Sequence, residues 1–402
     1  MHPPAAAEDR YTIISSDCHA GGNMAAYREY LDSHWQEEFD AWRGGYKNPF
    51  RDLQDDGRSR NWDDDRRITE MHDDGVVAEI TFPNTVPPFF PTGVLISYPP
   101  TDATDIERRQ VGLDAHNRWL RDWVAEHPKR RCGLPQIFLN DIERACAEVR
   151  WAADEGFRSV LLPSVPPDQG IPGLYSPVYD PLWQTFQDTG LVITQHGGSG
   201  TPDYGSDPAS GLMYLLEVGF FANRNLWHLL MSGVFERFPE LTYVMTEQGV
   251  AWAVDALRRM DAYHRQMVSG RVGELGFGAD LVLPMKPSDY FDRNVWIGAS
   301  FPSPSEAAAC RQLGVHKVMW GTDYPHHEGT YPYSREALRR GFCDWSADDM
   351  HKILAVNASD VYGFDLDALA PDAAEHGPTV GELSTPLDQI PPKATSPAFH
   401  RP

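Results

Sequence analysis

Short apolar runs separated by longer amphipathic stretches recur along the chain. Eight stand out, at Thr12–Ser16, Val76–Phe82, Gly133–Phe138, Phe157–Leu162, Leu191–Gln195, Leu241–Thr246, Val295–Ser300 and Lys317–Thr322. Several are rich in Val, Ile and Thr, the composition of buried strands. Pro135 weakens the third, because proline has no N–H for a ladder. Between the runs lie helical patterns. Residues 105–126 place Val111, Ala115, Trp119 and Val124 near one face, and residues 141–155 start acidic and stop before Gly156. Residues 179–188 lead to Gly190 and residues 303–313 to Gly314; residues 346–356 open on Ser346, an N-cap type, with Asp348 and Asp349 in the first turn.

Strand and helix repeated to eight strands predict an α/β chain folded as a distorted (β/α)8 TIM barrel, one domain over residues 1–366. The competing doubly wound sheet, in its nucleotide-binding forms, carries a Gly-rich phosphate loop after an early strand, and none is present. Residues 33–75 and 254–290 exceed a minimal barrel and read as insertions at its C-terminal rim, either covers for a pocket or else surface elaboration or a subunit contact. Residues 367–402, mixed in Pro, Thr, Ser and Ala, read as an extended, loosely held C-terminal arm.

Composition narrows the class. Hydrophobic residues make up 41% of 402, which excludes a disordered chain. A formal net charge of -23 argues against nucleic acid and an anionic membrane surface as partners, and leaves a small-molecule substrate. Five scattered cysteines suggest reduced thiols. With no secretory pattern at the N-terminus and no run of eighteen apolar residues, the expected location is the cytoplasm.

The candidate chemistry lies at strand ends. Asp17 and His19 follow the first run in SSDCHAG, and at i and i+2 of an extended segment they share a side. His196 follows the fifth in QHGG, Glu247 the sixth and Asp323 the eighth. Each alone reads more simply as a capping or hydrogen-bonded group. Together, five such residues crowd one face with carboxylate repulsion and buried imidazole, which a divalent ion relieves. Mixed oxygen and nitrogen ligands admit Zn2+, Mn2+ or Fe2+, and zinc comes first because hydrolysis needs a Lewis acid without redox chemistry. His326 is the candidate acid/base, since imidazole titrates near neutral pH. Arg51, Arg58 and Arg60 could meet a substrate carboxylate, with Trp252 and Tyr324 as aromatic walls; ordinary surface and packing roles compete for all five.

With these positions in view, the chain resembles the metal-dependent amidohydrolase-related family that includes aminocarboxymuconate-semialdehyde decarboxylase and γ-resorcylate decarboxylase. SSDCHAG, QHGG, PELTYVMTEQG and WGTDYPH carry the resemblance over about Tyr11 to Phe364, and NASDVYG at 357–363 looks like the family's closing motif. The resemblance implies a distorted barrel, one metal ion held by Asp17, His19, His196 and Asp323, and a homodimer or larger homo-oligomer. Glu247 departs from it, standing where those decarboxylases have histidine, and is read as a fifth ligand or a catalytic base. The expected function is therefore a hydrolase using metal-activated water, with Glu247, His326 and Asp323 as its catalytic residues. The alternative is non-oxidative decarboxylation of an aromatic or unsaturated acid. A catalytically inactive barrel serving as a binding module is the third reading.

Overall fold

The computed structural model describes residues 6–48, 53, 56–94 and 97–401. Its strands are β1 (Ile14–Ala20), β2 (Ala78–Pro83), β3 (Arg131–Gly133), β4 (Ser159–Leu161), β5 (Val192–His196), β6 (Tyr243–Thr246), β7 (Arg271–Val272), β8 (Leu275–Gly276), β9 (Val295–Ser300) and β10 (Val318–Gly321). β7 and β8 form a separate antiparallel hairpin. The other eight are parallel, and each overlaps one of the eight predicted runs, β3 only at Gly133.

They pair as β1-β2-β3 and as β10-β9-β6-β5-β4. The two segments approach at both ends through parallel bridges, Cys18 with Tyr324 and Gln136 with Leu161. Asp323 N donates to Asp17 O at 2.8 Å, and Leu161 N donates to Pro135 O at 2.9 Å. The fold is thus α/β with a parallel sheet core, consistent with a distorted barrel. Alternation along the strands sorts side chains to two sides. Ile193, Tyr243 and Val318 join the large apolar cluster with helix residues such as Trp183, Phe186 and Leu229. Their neighbours Val192, Val244 and Met319 pack instead with Tyr362 and Phe364.

Three expectations change. The third strand lies before Pro135, as the missing ladder donor requires. Asp17 and His19 lie inside β1, not beyond it, where the register against β2 shifts between Ser15 and Cys18. That irregularity re-aims side chains locally. The C-terminal segment is neither extended nor loose. It holds helices at Leu366–His376, Val380–Leu383 and Pro397–His400, buries Leu383 and Phe399, and pairs Glu382 with Arg335 at 3.1 Å. Thr379 and Glu382 close a capping box on the middle helix.

Candidate metal centre and substrate cavity

Asp17 is fully buried on β1, and its Oδ2 accepts a hydrogen bond from Ser300 at the end of β9. That contact leaves Oδ1 facing two imidazoles, with His19 Nε2 and His196 Nε2 each 3.4 Å away. His19 Nε2 is also 3.2 Å from Asp323 Oδ1. Backbone geometry aims the acidic groups. Glu247 and Asp323, just past β6 and β10, have φ of 60° and 61°, in the left-handed region that non-glycine residues avoid. Such strain, roughly 1–3 kcal/mol per residue, persists where the surrounding structure enforces it.

Asp17 Oδ1, His19 Nε2, His196 Nε2 and both Asp323 oxygens are buried and have no hydrogen-bond partner. Buried polar atoms are ordinarily paired, so unpaired nitrogen and carboxylate oxygens pointing into one space fit a divalent cation. Asp17, His19 and His196 form one group able to hold an ion, and His19, Asp323 and His326 form an overlapping one.

Electrostatics agree. Burial would raise Asp17, but His196 and His19 hold it well below the usual carboxylate range. Burial opposes charge on His196, yet Glu247 and Asp17 outweigh it and lift the imidazole to about 9. Burial pushes Glu247 up to about 7 despite His196. Burial would also raise Asp323, but His326 and His19 keep it low. Concentrated negative charge of this kind attracts a cation.

Glu247 stands apart from the first group. Its Oε2 lies 3.3 Å from His196 Nδ1, the nitrogen facing away from Asp17. It also falls in a third, more exposed group with Asp323, His326 and Glu328. His326 Nδ1 is 2.8 Å from Asp323 Oδ1, and its Nε2 is 3.3 Å from Asn84 Oδ1. Asn84 in turn donates to Asn61 Oδ1 at 2.7 Å. Ser300 and Asn84 escape sequence reading, because one serine or asparagine beside a strand end resembles any other.

A cavity of about 280 Å³ opens beside His196. Its walls come mainly from residues 83–94, 97–99, 136–140 and 161–171, and among the described residues neither 33–75 nor 254–290 contributes to the lining. Of the expected arginines, Arg60 pairs with Glu70 at 2.6 Å and Arg58 is exposed; Arg51 lies outside the described residues. Tyr324 is buried against Arg67 and Glu70, and Trp252 bonds Gly249 O, so neither walls the cavity. No helix among the described residues is long and apolar enough to cross a membrane.

Residues 17–364 match the family described as Amidohydrolase. An amidohydrolase from Mycobacterium avium subsp. paratuberculosis K-10 superposes with a TM-score of 0.66 at 20% identity, covering 89% of this chain and 99% of that one. A 5-carboxyvanillate decarboxylase from Novosphingobium aromaticivorans DSM 12444, complexed with manganese and 4-hydroxy-3-methoxy-5-nitrobenzoic acid, gives 0.64 at 20% identity over 90% and 98%. A dihydroxybenzoic acid decarboxylase from Polaromonas sp. JS666, with manganese and 2-nitroresorcinol, gives 0.60 at 20% identity over 88% and 97%. At this identity the likeness is one of fold.

Proposed function

From the premise that the chain belongs to the amidohydrolase family, we propose that this metal-binding enzyme is a non-oxidative decarboxylase of aromatic or unsaturated acids. The reading takes the sheet as a closed, distorted eight-stranded barrel in one domain over residues 1–366. Asp17, His19, His196 and Asp323 would hold one divalent ion, which supplies positive charge for the substrate's carboxylate and a neighbouring oxygen. The fold relatives with manganese make Mn2+ the first ion to load, ahead of Zn2+.

The observation that carries decarboxylation over hydrolysis is the mainly apolar cavity against His196. Apolar walls neither hold nor deprotonate an attacking water, whereas they favour converting a carboxylate into neutral carbon dioxide. The breaking C–C bond leaves its electron pair on the substrate carbon, and that carbon then takes a proton. His326, 2.8 Å from Asp323 and partly exposed, can draw the proton from solvent and pass it inward. Glu247, against the far nitrogen of His196, orients that ring. Hydrolysis stands second, favoured by the carboxylate of Glu247 at the site with its pKa near neutrality.

Candidate acids incubated with Mn2+-loaded protein in ¹⁸O-labelled deuterated water separate the two. Decarboxylation releases carbon dioxide and leaves deuterium on carbon; ¹⁸O in a product carboxylate or alcohol, without carbon dioxide, establishes hydrolysis instead. His326→Asn is expected to lower kcat at least 100-fold while Mn2+ binding persists.

A further inference from the structure

The cavity has a chemical character of its own. Among the described lining residues none is Arg, Lys, Asp or Glu, and the sole imidazole, His196, is at the metal-ligand cluster. Phe90, Phe138, Leu139, Leu162, Val165 and Ile171 supply much of the surface. Two lining residues carry amide atoms with no protein partner, Gln136 Nε2 and Asn140 Oδ1. The rest of each amide region is engaged: Asn140 Nδ2 donates to Pro100 O at 2.9 Å, and Asn117 brackets the Gln136 backbone at 2.9 and 3.0 Å. The Asn140 side chain and the Gln136 backbone are therefore held in place while one donor and one acceptor stay unsatisfied.

Buried polar atoms without partners cost stability unless something else pairs them. A substrate oxygen that is neutral, such as a hydroxyl, ether or carbonyl, could accept from Gln136; a hydroxyl could also donate to Asn140. A second carboxylate would have no cation to meet and would enter an apolar space against its own desolvation.

We infer that this cavity selects a substrate bearing a single acidic group, at the metal end, on an uncharged and mainly apolar body with a neutral oxygen substituent. The assignment of the acidic group rests on the proposed decarboxylation. The character of the body rests on the cavity alone.

Two measurements keep those parts separate. The first compares matched aromatic monoacids on Mn2+-loaded protein, in which one ring position carries an alkyl, a hydroxyl or a second carboxylate. The second carboxylate is expected to lower kcat/KM at least 100-fold relative to alkyl. The second measures calorimetric binding to chelator-treated protein, where no ion can take a carboxylate, of the corresponding ring compounds without the reacting carboxylate: alkyl phenols against phenols carrying the extra carboxylate. The neutral phenols should bind at least 100-fold more tightly. If no acid releases carbon dioxide yet the neutral phenols bind with that preference, the decarboxylase reading falls and the cavity assignment stands. Equal or better binding of the charged phenols, or no binding of either set, overturns the cavity assignment.

Variants give a third test. Gln136→Leu is expected to weaken hydroxylated ligands about tenfold relative to their alkyl counterparts, which a general packing defect would not do. Ile171→Arg should shift preference toward the dianion; an unchanged preference in folded protein counts against the inference.

Discussion

Single contacts decide how firmly the cluster is held. Ser300 is the hydrogen-bond donor to Asp17 Oδ2, fixing which oxygen faces His19 and His196. Ser300→Ala is expected to weaken divalent-metal affinity by about 10- to 100-fold with an unchanged circular dichroism spectrum, measured by titration with Mn2+. A second residue sets acid tolerance. His116 is fully buried, and burial pushes its pKa down to about 3. Tyr27 OH lies 2.9 Å from its Nδ1 and can donate to the neutral ring. The unfolded chain, with histidine near 6.5, binds this proton more tightly than the folded one. Stability from this group is therefore complete above about pH 6.5 and lost as pH falls towards 3, by up to roughly 4–5 kcal/mol. His116→Gln keeps an acceptor for Tyr27 without a titrating group. Urea midpoints at pH 7.5 and 5 should differ less in this variant than in the natural protein; an equal pH dependence would show that His116 does not titrate on unfolding.

At the scale of elements, position along the sheet was more legible than direction at the site. Seven of the eight parallel strands were readable because buried strands need apolar, β-branched runs, and little else in the chain looks like that; β3, Arg131–Gly133, is no such run and meets its predicted segment only at Gly133. β1 was placed too early because SSDCHA is polar, although one oxygen of Asp17 is satisfied there by Ser300 from another strand. Such a partner is 283 positions away and leaves no local signal. The helix Ser210–Met231 escaped notice for a different reason: its first half carries exposed apolar groups, Leu212, Leu215 and Leu216, and so lacks a polar face to give it a period. Inward-facing arginine was equally hidden. Arg67, on the helix Asp64–Asp73, is fully buried, donates to Glu79 on β2 through both Nε and a terminal nitrogen, and holds His19 O at 2.8 Å. This part of the 33–75 segment thus holds the backbone of β1 through Arg67. Arg67→Met leaves Glu79 buried with only Arg131, 3.7 Å away, and should cost about 3–5 kcal/mol in urea unfolding. Because His19 loses a backbone anchor as well, Mn2+ affinity should fall too. A loss of stability without that fall would confine Arg67 to a packing role.

For the whole molecule, folding and metal capture are one balance. The candidate ligands come from β1, the end of β5 and the turn after β10, so a cation held by them would tie together parts of both sheet segments. Without a cation, the carboxylates Asp17 and Asp323 are fully buried close to one another, and their unpaired oxygens burden the folded state alone. The unfolded chain scatters the same residues and offers no comparable site. Binding to the folded form must then stabilise it by mass action, by about 2.7 kcal/mol when free metal is 100 times its Kd. Spread over a chain of 402 residues, that should raise the melting temperature by a few degrees. Chelation should reverse the gain, and Asp323→Asn should abolish most of the response while leaving a folded protein, because it removes charge from an oxygen shared by His19 and His326. Scanning calorimetry with chelator, with Mn2+ and with Zn2+ tests this directly and ranks the two ions. Identical melting in chelator and in excess Mn2+ would mean that these buried atoms converge without capturing an ion. The proposed chemistry would then have no centre.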